Sequence, residues 1–118
     1  MHPRRGEVYD ARLDPVEGSE QAGTRPIVVV SRDAINAQVP RIVGVLCTTF
    51  REGRRVYPSQ VLLRAPEGGL SVDSVALADQ VRALSIGRLT RRRGVLSLPT
   101  MRQIDRALLI ALDLPGQV

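Results

Sequence analysis

A run of four consecutive β-branched residues at 27–30, Ile-Val-Val-Val, constrains the fold of this chain more than any other feature. Such a run predicts a buried β-strand, over residues 25–31, because branched side chains pack well on a pleated surface. Gly18 and Gly23 bracket the polar loop before it, and Arg25-Pro26 joins loop to strand. Pro26 biases Arg25 toward an extended conformation, so one guanidinium is predicted where a loop meets the sheet. From this segment alone, a structural turn and a functional loop are equally good interpretations.

The rest of the chain contains more short apolar runs separated by turn signals. Further strands are predicted at residues 5–13, 41–48, 60–64, 73–82 (as one or two strands) and 91–96, with short helical turns near 31–36 and 85–89. The spacing of the strands, without long helices between them, favours a small barrel over a parallel sheet. The length suits a single domain spanning 1–118.

The period changes at the end of the chain, where apolar residues recur at three- and four-residue steps from Thr100 to Leu114. This pattern predicts an amphipathic helix. Thr100 and Gln103 match a capping box, and Pro115-Gly116 is a stop signal. The expected fold is therefore mainly β with a C-terminal α-helix, in a barrel of about six or seven short strands.

The charge distribution points to a polyanionic partner. The net charge is +5, all 17 basic side chains are arginine, and 11 of them lie in residues 51–118 against six acids. A basic surface attracts nucleic acid through counterion release, although many solvated faces are basic and arginine usage also follows codon bias. No segment has the apolar length of a membrane span or resembles a signal peptide, and the single Cys47 fits a reducing compartment, so we expect a cytoplasmic protein without a membrane partner.

The sequence excludes several catalytic chemistries. The only histidine, His2, lies at the N-terminus, and Cys47 lies in an apolar strand without a histidine partner. No residues are spaced to bind a metal, and no phosphate-binding glycine loop is present, so neither metal nor cofactor is expected. Arginine, threonine and carboxylates remain. RNA carries its own 2′-hydroxyl nucleophile, so a catalyst must align it, neutralise the phosphorane and manage two proton transfers. Arg25 is a candidate for the phosphate fork and Thr48 for a hydroxyl donor.

Other side chains are candidates for RNA contact. Phe50 and Tyr57 flank a basic loop and are placed to stack on bases, or equally to pack under that loop. Gln80 and Arg82 follow an apolar run and are candidates for reading bases. For Thr49, beside Thr48, a functional role and a structural role at the strand end are equally good interpretations. The arginines of the basic loop and of residues 91–93 are interpreted either as solvated or as phosphate contacts.

A set of short motifs, in order along most of the chain, resembles the MazF/PemK (Kid) family of toxin endoribonucleases. The motifs are Arg5-Gly6-Glu7-Val8, Asp14-Pro15, residues 18–23 (Gly-Ser-Glu-Gln-Ala-Gly), Arg25-Pro26, residues 47–49 (Cys-Thr-Thr), Tyr57-Pro58 and residues 76–81 (Ala-Leu-Ala-Asp-Gln-Val). Each motif is short, but the combination is specific.

The resemblance implies a homodimer of SH3-like, CcdB-like barrels. It implies metal-independent, ribosome-independent cleavage of single-stranded RNA at a short sequence, leaving 2′,3′-cyclic phosphate and 5′-hydroxyl ends. It also implies a cognate, MazE-like antitoxin that blocks the RNA groove with an acidic segment, and operator DNA binding only through the antitoxin complex.

By position, the resemblance assigns catalysis to Arg25 and Thr48 and gives Glu20 a role in activity. Ser19 and Leu77 replace a histidine and an arginine of the Kid branch, so the acid and base known for that branch do not transfer. The expected RNA-binding residues are Ser19, Gln21, Thr49, Phe50, Tyr57, Asp79, Gln80 and Arg82. Because an arginine with a pKa above about 12 is a poor proton shuttle, Arg25 is interpreted as an electrostatic stabiliser and Thr48 as an orienting donor. The base stays open, with Glu20 as a candidate.

Two other classes of protein remain alternatives. A CcdB-like barrel that poisons DNA gyrase lacks nuclease activity, and the Arg25-Pro26 and Thr48-Thr49 pairs argue against it. A non-catalytic nucleic-acid-binding barrel would keep the basic face without the catalytic pair. Replacing Arg25 separates these classes, because a binding module loses little more than one phosphate contact.

Overall fold

The computed structural model describes residues 2–13 and 23–116. Within them the elements are β1 (Glu7–Leu13), β2 (Gly23–Val29), α1 (Asp33–Asn36), β3 (Arg41–Thr49), β4 (Gln60–Leu63), β5 (Ser74–Ser85), β6 (Leu89–Val95) and α2 (Leu98–Ala111), with 3-10 turns at Glu67–Gly69 and Ile86–Arg88. All strand pairs are antiparallel, and the six strands form one sheet in the order β4-β5-β3-β2-β1-β6. The predicted class, mainly β with a C-terminal helix, is confirmed.

The sheet curls without closing into a barrel. In the described ranges no pairing joins the outer strands β4 and β6. Instead, the 3-10 turn after β4 packs directly on β6, where Arg93 Nη1 donates to the carbonyl of Gly69 at 3.1 Å. A Cβ atom built on Gly69 would lie 2.1 Å from the carbonyl oxygen of Arg93, so only glycine permits this backbone approach. The curl comes from tertiary packing at this contact.

Apolar side chains form two buried clusters. The larger, which includes Val28, Val45, Cys47 and Ile104, lies between the sheet and α2. The smaller contains the alternate residues of the same strands, among them Ile27 and Val29. Because successive side chains of a strand point to opposite faces, one apolar run supplies both clusters. This is why the run at residues 27–30 is apolar throughout.

Strand β2 begins earlier, and strand β5 ends later, than the sequence predicted. β2 begins at Gly23, two residues before the predicted start, because Leu13 and Arg12 of β1 pair with Gly23 and Thr24. β5 is one strand and continues to Ser85, because its far end pairs with Arg41 of β3. In both cases pairing with a neighbouring strand extends the strand beyond the apolar run from which it was predicted.

The capping box predicted at Thr100 and Gln103 is wrong. The helix begins at Leu98, and Ser97 is the N-cap, its side chain accepting the N–H of Thr100 at 3.3 Å. A serine N-cap followed by proline in the first turn is favourable, because an N–H at that position would have no hydrogen-bond partner within the helix. Neither α1 nor α2 is long and apolar enough to cross a membrane, and no other helix of the described ranges is.

The end of α2 also lies three residues before the predicted Leu114. Asp113 adopts a left-handed conformation with φ 53°. Its N–H donates to Ile110 at 3.3 Å, and the N–H of Leu114 donates to Leu109 at 2.9 Å. These two bonds satisfy the last carbonyls of the helix, as in a Schellman motif. The helix therefore ends at Ala111 before Pro115-Gly116 is reached.

Acidic side chains of β1 neutralise the arginine run of β6. Arg92 Nε lies 2.6 Å from Glu7 Oε2, and Arg93 Nε lies 2.6 Å from Asp10 Oδ1. Arg91 Nε lies 3.7 Å from Asp10 Oδ2. These pairs join the neighbouring strands, so the basic stretch at residues 91–93 serves the sheet, and its interpretation as a set of RNA contacts loses its main support.

The ionisation of Glu7 makes the stability contributed by this cluster depend on pH. Burial raises the pKa of Glu7, but hydrogen bonds from Arg92, from the N–H of Arg4 and from Tyr9 outweigh burial, and the pKa lies below its ordinary value of 4.5. Its side chain is 12% exposed, but that of Arg92 is 51% exposed, so solvent partly screens the pair. Because the pKa of Glu7 is lower in the folded protein than in the unfolded chain, its ionised carboxylate stabilises the fold. This contribution is complete above the unfolded-state pKa and is lost as the pH falls through the folded-state pKa.

We therefore expect Glu7→Gln to lower the free energy of unfolding at pH 7 and to have a smaller effect at pH 3. Urea denaturation of both proteins at the two pH values checks this. Glu52→Gln is the control, because Glu52 is exposed and makes no ion pair with another described residue. A Glu7→Gln effect of equal size at both pH values would contradict the assignment.

Candidate active site

The sheet brings Arg25 and Thr48 together. The β2–β3 register pairs Ile27 with Leu46 and Val28 with Val45. Continued by two residues, it places Arg25 opposite Thr48, where directly opposed residues of an antiparallel pair point to the same face. A guanidinium and a hydroxyl that are 23 positions apart in the sequence thus share one end of the sheet.

Pro26 explains how Arg25 is held. The N–H of Val30 donates to the carbonyl of Val43 at 2.9 Å. Since hydrogen-bonded pairs alternate along an antiparallel ladder, the position opposite Cys47 is also a hydrogen-bonded one. Pro26 occupies it and has no N–H to give. Arg25 Nη2 donates to the Cys47 carbonyl instead, at 2.8 Å. The Arg-Pro sequence therefore ends the ladder and anchors the guanidinium at the same point.

The surroundings of Arg25 concentrate positive charge. Burial lowers the pKa of Arg25, a Cys47 thiolate would oppose that shift, and the nearby guanidinium of Arg54 lowers it further. Burial also raises the pKa of the Cys47 thiol to about 12, so the thiol is neutral near pH 7, and neither Arg25 nor Arg54 makes an ion pair with another described residue. An anion entering the site relieves their repulsion. Cys47 is fully buried in the core, as predicted, and is unsuited to be a nucleophile.

Thr48 presents its hydroxyl at the end of a rigid strand. The residue is half-buried, and the hydroxyl makes no hydrogen bond to another residue in the described part of the chain. Thr49, the next residue, is exposed on the opposite face, as strand alternation requires. The N–H of Phe50 donates to the carbonyl of Asp73 at 2.8 Å and fixes the exit from β3. Phe50 itself is half-buried, which agrees equally with stacking on a base and with packing under its own loop.

A large bulge in β5 exposes Asp79 and Gln80. β5 advances five residues, from Ala76 to Val81, while β3 advances two, from Cys47 to Val45. The extra residues carry Asp79 and Gln80, both exposed. Bulges of this kind re-aim side chains beside functional sites. No sequence pattern indicated this bulge, because the apolar run through β5 is uninterrupted up to Asp79.

Tyr57 and Arg82 are exposed but stand apart from Arg25. The guanidinium of Arg55 lies 5.3 Å from the centre of the Tyr57 ring, which is 51% exposed. Arg82, on β5, directs Nε to the neighbouring carbonyl of Ala83 at 3.4 Å. No hydrogen bond or ion pair between described residues joins Tyr57, Asp79, Gln80 or Arg82 to Arg25. These residues are placed to contact a long ligand rather than the reacting group.

The loop residues Ser19, Glu20 and Gln21 lie outside the described residues, as does most of the predicted loop at 16–24. Their predicted roles stay predictions. Arg54, by contrast, was not among the predicted site residues, although it belongs to the basic loop that was noted as a possible phosphate contact. The spacing of Arg51, Arg54 and Arg55 could not show which of the three faces Arg25, because that depends on the loop conformation.

The arrangement suits the binding of a phosphate. The guanidinium of Arg25 lies near that of Arg54 and is bound to the carbonyl of Cys47, the residue before Thr48, and a guanidinium fork matches the geometry of phosphate oxygens. Within residues 2–13 and 23–116, no group of three or more histidine, cysteine, aspartate or glutamate residues is arranged to hold a metal ion.

The chain is similar to known proteins along nearly its whole length. Residues 4–112 match the family described as the PemK-like, MazF-like toxin of type II toxin-antitoxin systems. The endoribonuclease MazF9 of Mycobacterium tuberculosis is 44% identical over 115 residues, which are 94% of this chain and 97% of that protein.

Two solved structures support the same relationship. A mycobacterial endoribonuclease superposes with a TM-score of 0.80 at 30% identity, over 99% of this chain and 97% of its own. A mycobacterial endoribonuclease in complex with its cognate antitoxin superposes with a TM-score of 0.77 at 31% identity, over 98% of this chain and 99% of its own. The sequence and the fold agree, and the chain belongs to the PemK-like, MazF-like family of type II toxin-antitoxin toxins.

Proposed function

We propose that this toxin is a sequence-specific endoribonuclease that cleaves single-stranded RNA at the Arg25–Thr48 site. The observation that carries the proposal is the half-buried Arg25 guanidinium, which is held at 2.8 Å by the carbonyl of Cys47, next to Thr48, whose hydroxyl makes no hydrogen bond to another described residue. The similarity to proteins named endoribonucleases supports the same activity.

The proposed reaction is an internal transesterification. The 2′-oxygen attacks the adjacent phosphorus, a bond forms between them, and the bond from phosphorus to the 5′-oxygen breaks. The proton of the 2′-hydroxyl leaves to a base, and the 5′-oxygen receives a proton from an acid. The products are a 2′,3′-cyclic phosphate and a 5′-hydroxyl. Atoms and charge balance without water as a reactant.

Each site residue has a distinct role in this reaction. Arg25 stabilises the negative charge that builds on the phosphorane, since preorganised cations lower the barrier most where charge develops. Arg54 adds a second positive charge at the same phosphate. Thr48 donates a hydrogen bond that holds a phosphate oxygen in line. Glu20 is the proposed base, and Glu20→Gln should then remove the acidic limb of the pH–rate profile.

Sequence preference is assigned to the side chains around this centre. Phe50 and Tyr57 would stack on bases, while Asp79, Gln80 and Arg82 on β5 and Thr49 on β3 would contact base edges or phosphates. Ser19 and Gln21 would act from the preceding loop. The placement of Asp79 and Gln80 on an exposed bulge supports this division, because a bulge frees side chains from strand alternation.

The proposed partners follow from the family. We propose that the chain acts in the cytoplasm as a homodimer and is neutralised by a cognate, MazE-like antitoxin, with operator DNA bound only through that complex. Exposed apolar side chains support association: Leu98 is 73% and Leu112 50% exposed. Sedimentation would report twice the 12.9 kDa chain mass for the dimer.

The gyrase-directed alternative is not favoured. It does not use the Arg25–Thr48 pair, and the similar proteins reported above are named as endoribonucleases. The non-catalytic alternative likewise assigns no role to the Thr48 hydroxyl, which makes no hydrogen bond to another described residue.

The test of the proposal is end-mapped cleavage of a long defined RNA, with a chelator present. We expect cuts at one short sequence by the wild type and about 100-fold slower cleavage by Thr48→Val, which keeps the β-branched shape and removes one donor. Thr90→Val is the control, because Thr90 is an exposed threonine on the outer strand β6. Undiminished cleavage by Thr48→Val would remove Thr48 from the mechanism, and no cleavage by the folded wild type would overturn the proposed function.

A further inference from the structure

A basic cleft lies between strand β4 and helix α2. It has a volume of about 500 Å³, and its lining includes Pro58, Gln60, Arg102, Gln103 and Arg106. None of the described residues that line it is acidic, and neither Arg25 nor Thr48 is among them. The reaction proposed above gives this cleft no role, although its charge suits an anion.

Two arginines of α2 give the cleft its positive charge. Arg102 and Arg106 are exposed, and neither makes an ion pair with another described residue. Asp105, the only acid of α2, pairs instead with Arg5. Side chains four residues apart on a helix are neighbours on one face, with Cβ atoms about 6 Å apart. The two guanidinium groups are therefore placed to contact one polyanionic chain together.

The segment before β4 connects the cleft to the proposed active site. At one end, the guanidinium of Arg54 lies near that of Arg25. The next residue, Arg55, places its guanidinium 5.3 Å from the centre of the Tyr57 ring. At the other end, the N–H of Gln60 donates to the carbonyl of Tyr57 at 2.8 Å, and the N–H of Tyr57 donates to Gln60 Oε1 at 3.3 Å. Because Gln60 also lines the cleft, one short segment runs from the phosphate site to it.

Tyr57 offers a stacking surface on this path. Its ring is 51% exposed, with the guanidinium of Arg55 beside it. An exposed ring stacks on any base, and an arginine beside it adds a cation–π contribution. Aromatic rings and cations that follow one another along a surface are typical of sites for single-stranded nucleic acid. An acidic peptide would use the arginines of the cleft but not this ring, so the combination favours a nucleic acid.

We propose that the cleft binds the backbone of the RNA substrate several nucleotides away from the cleaved bond, with Arg102 and Arg106 on phosphates and Tyr57 stacked on a base between the two sites. This inference rests on the proposed function, because it extends the path of the same RNA. Phosphate contacts carry no sequence information, so the cleft adds affinity without changing the cleavage sequence. A long RNA should therefore bind more tightly than its cleavage sequence alone.

The test is the affinity of the full chain for two fluorescein-labelled RNAs, measured by fluorescence anisotropy. Both carry a 2′-deoxy group at the cleavage site, which prevents cleavage. The short RNA ends one nucleotide beyond the mapped cleavage sequence on each side, and the long RNA has roughly 15 nucleotides, the upper range for a single-stranded site.

Arg102→Gln/Arg106→Gln should weaken binding of the long RNA about tenfold or more and leave binding of the short RNA unchanged. The slope of log affinity against log salt concentration should fall by about 1.4 for the long RNA, because each phosphate contact with a single strand contributes about 0.7. Tyr57→Leu should weaken binding of the long RNA about tenfold. The matched control is Arg4→Gln/Arg32→Gln, which removes two exposed arginines outside the cleft and should leave both affinities unchanged.

Three results would overturn the proposal: equal affinity of the wild type for the two RNAs, undiminished binding of the long RNA by the cleft variant, or an equal loss in the control. A glutamate-rich peptide that requires Arg102 and Arg106 when the long RNA does not would also overturn it and assign the cleft to a protein partner.

Cleavage of the all-ribose short RNA by the wild type reports on the proposed function separately. A wild type that cleaves no RNA would overturn that function. The cleft would then be tested by the same affinities on mixed-sequence RNAs of the two lengths, where loss of long-RNA binding in the cleft variant alone still supports a nucleic-acid site.

Discussion

Arg25→Ala is expected to slow RNA cleavage about 1,000-fold, because it removes the cation that meets the phosphorane where charge develops. Arg25→Lys should recover only part of the rate, since an ammonium group lacks the fork that contacts both the Cys47 carbonyl and a phosphate. The rates would be measured under single-turnover conditions on an oligonucleotide that contains the mapped cleavage sequence.

Three controls separate the loss of catalysis from changes in binding, folding and net charge. Affinity for the same oligonucleotide with a 2′-deoxy group at the cleavage site should fall by no more than the loss of one phosphate contact. Circular dichroism should show that the variant stays folded. Arg32→Ala, which removes an exposed arginine far from the site, should cleave at the wild-type rate. A loss in Arg25→Ala that is explained wholly by affinity would make Arg25 a binding residue only.

Gly69→Ala is expected to destabilise the fold by about 4 kcal/mol and to lower the Tm by about 15 °C. Gly69 has φ 72°, and an added Cβ would lie 2.1 Å from the carbonyl oxygen of Arg93. Since backbone lies on both sides of this contact, the turn after β4 would have to separate from β6. Thermal and urea denaturation measure the loss.

Gly53→Ala is the matched control. Gly53 has φ 85°, but an added Cβ would have no heavy atom within 4 Å. Its replacement should cost only the conformational penalty, about 1 kcal/mol. The difference between the two variants isolates the steric contact that curls the sheet. Equal losses would mean that the contact between the turn and β6 contributes nothing beyond backbone conformation.

The sequence predicted the parts of this molecule that local patterns determine. The β-branched run at residues 27–30 and the apolar run before Thr48 indicated the two strands that meet at Arg25 and Thr48. The fold class predicted from the strand and helix patterns and the family predicted from the resemblance of short motifs are confirmed. The roles assigned to the two residues stay predictions, to be tested by the variants above.

Features that depend on tertiary contacts were not predictable. The bulge that exposes Asp79 and Gln80 interrupts the pairing of β5 with β3 near the end of its pairing with β4, and no local pattern marks that point. The proximity of Arg54 to Arg25 depends on the path of a loop. The N-cap was readable in principle, because Ser97 stands two residues before Pro99, but the apolar period begins only at Met101 and pointed to a later start.

The measurement that tests the central claim most directly is cleavage of an RNA oligonucleotide in two forms, one natural and one with a single 2′-deoxy group at the cleavage site. The account predicts 2′,3′-cyclic phosphate and 5′-hydroxyl ends from the natural form, and no cleavage of the deoxy form, because its nucleophile is missing. Cleavage of both forms, or a 5′-phosphate product, would contradict transesterification at the Arg25–Thr48 site.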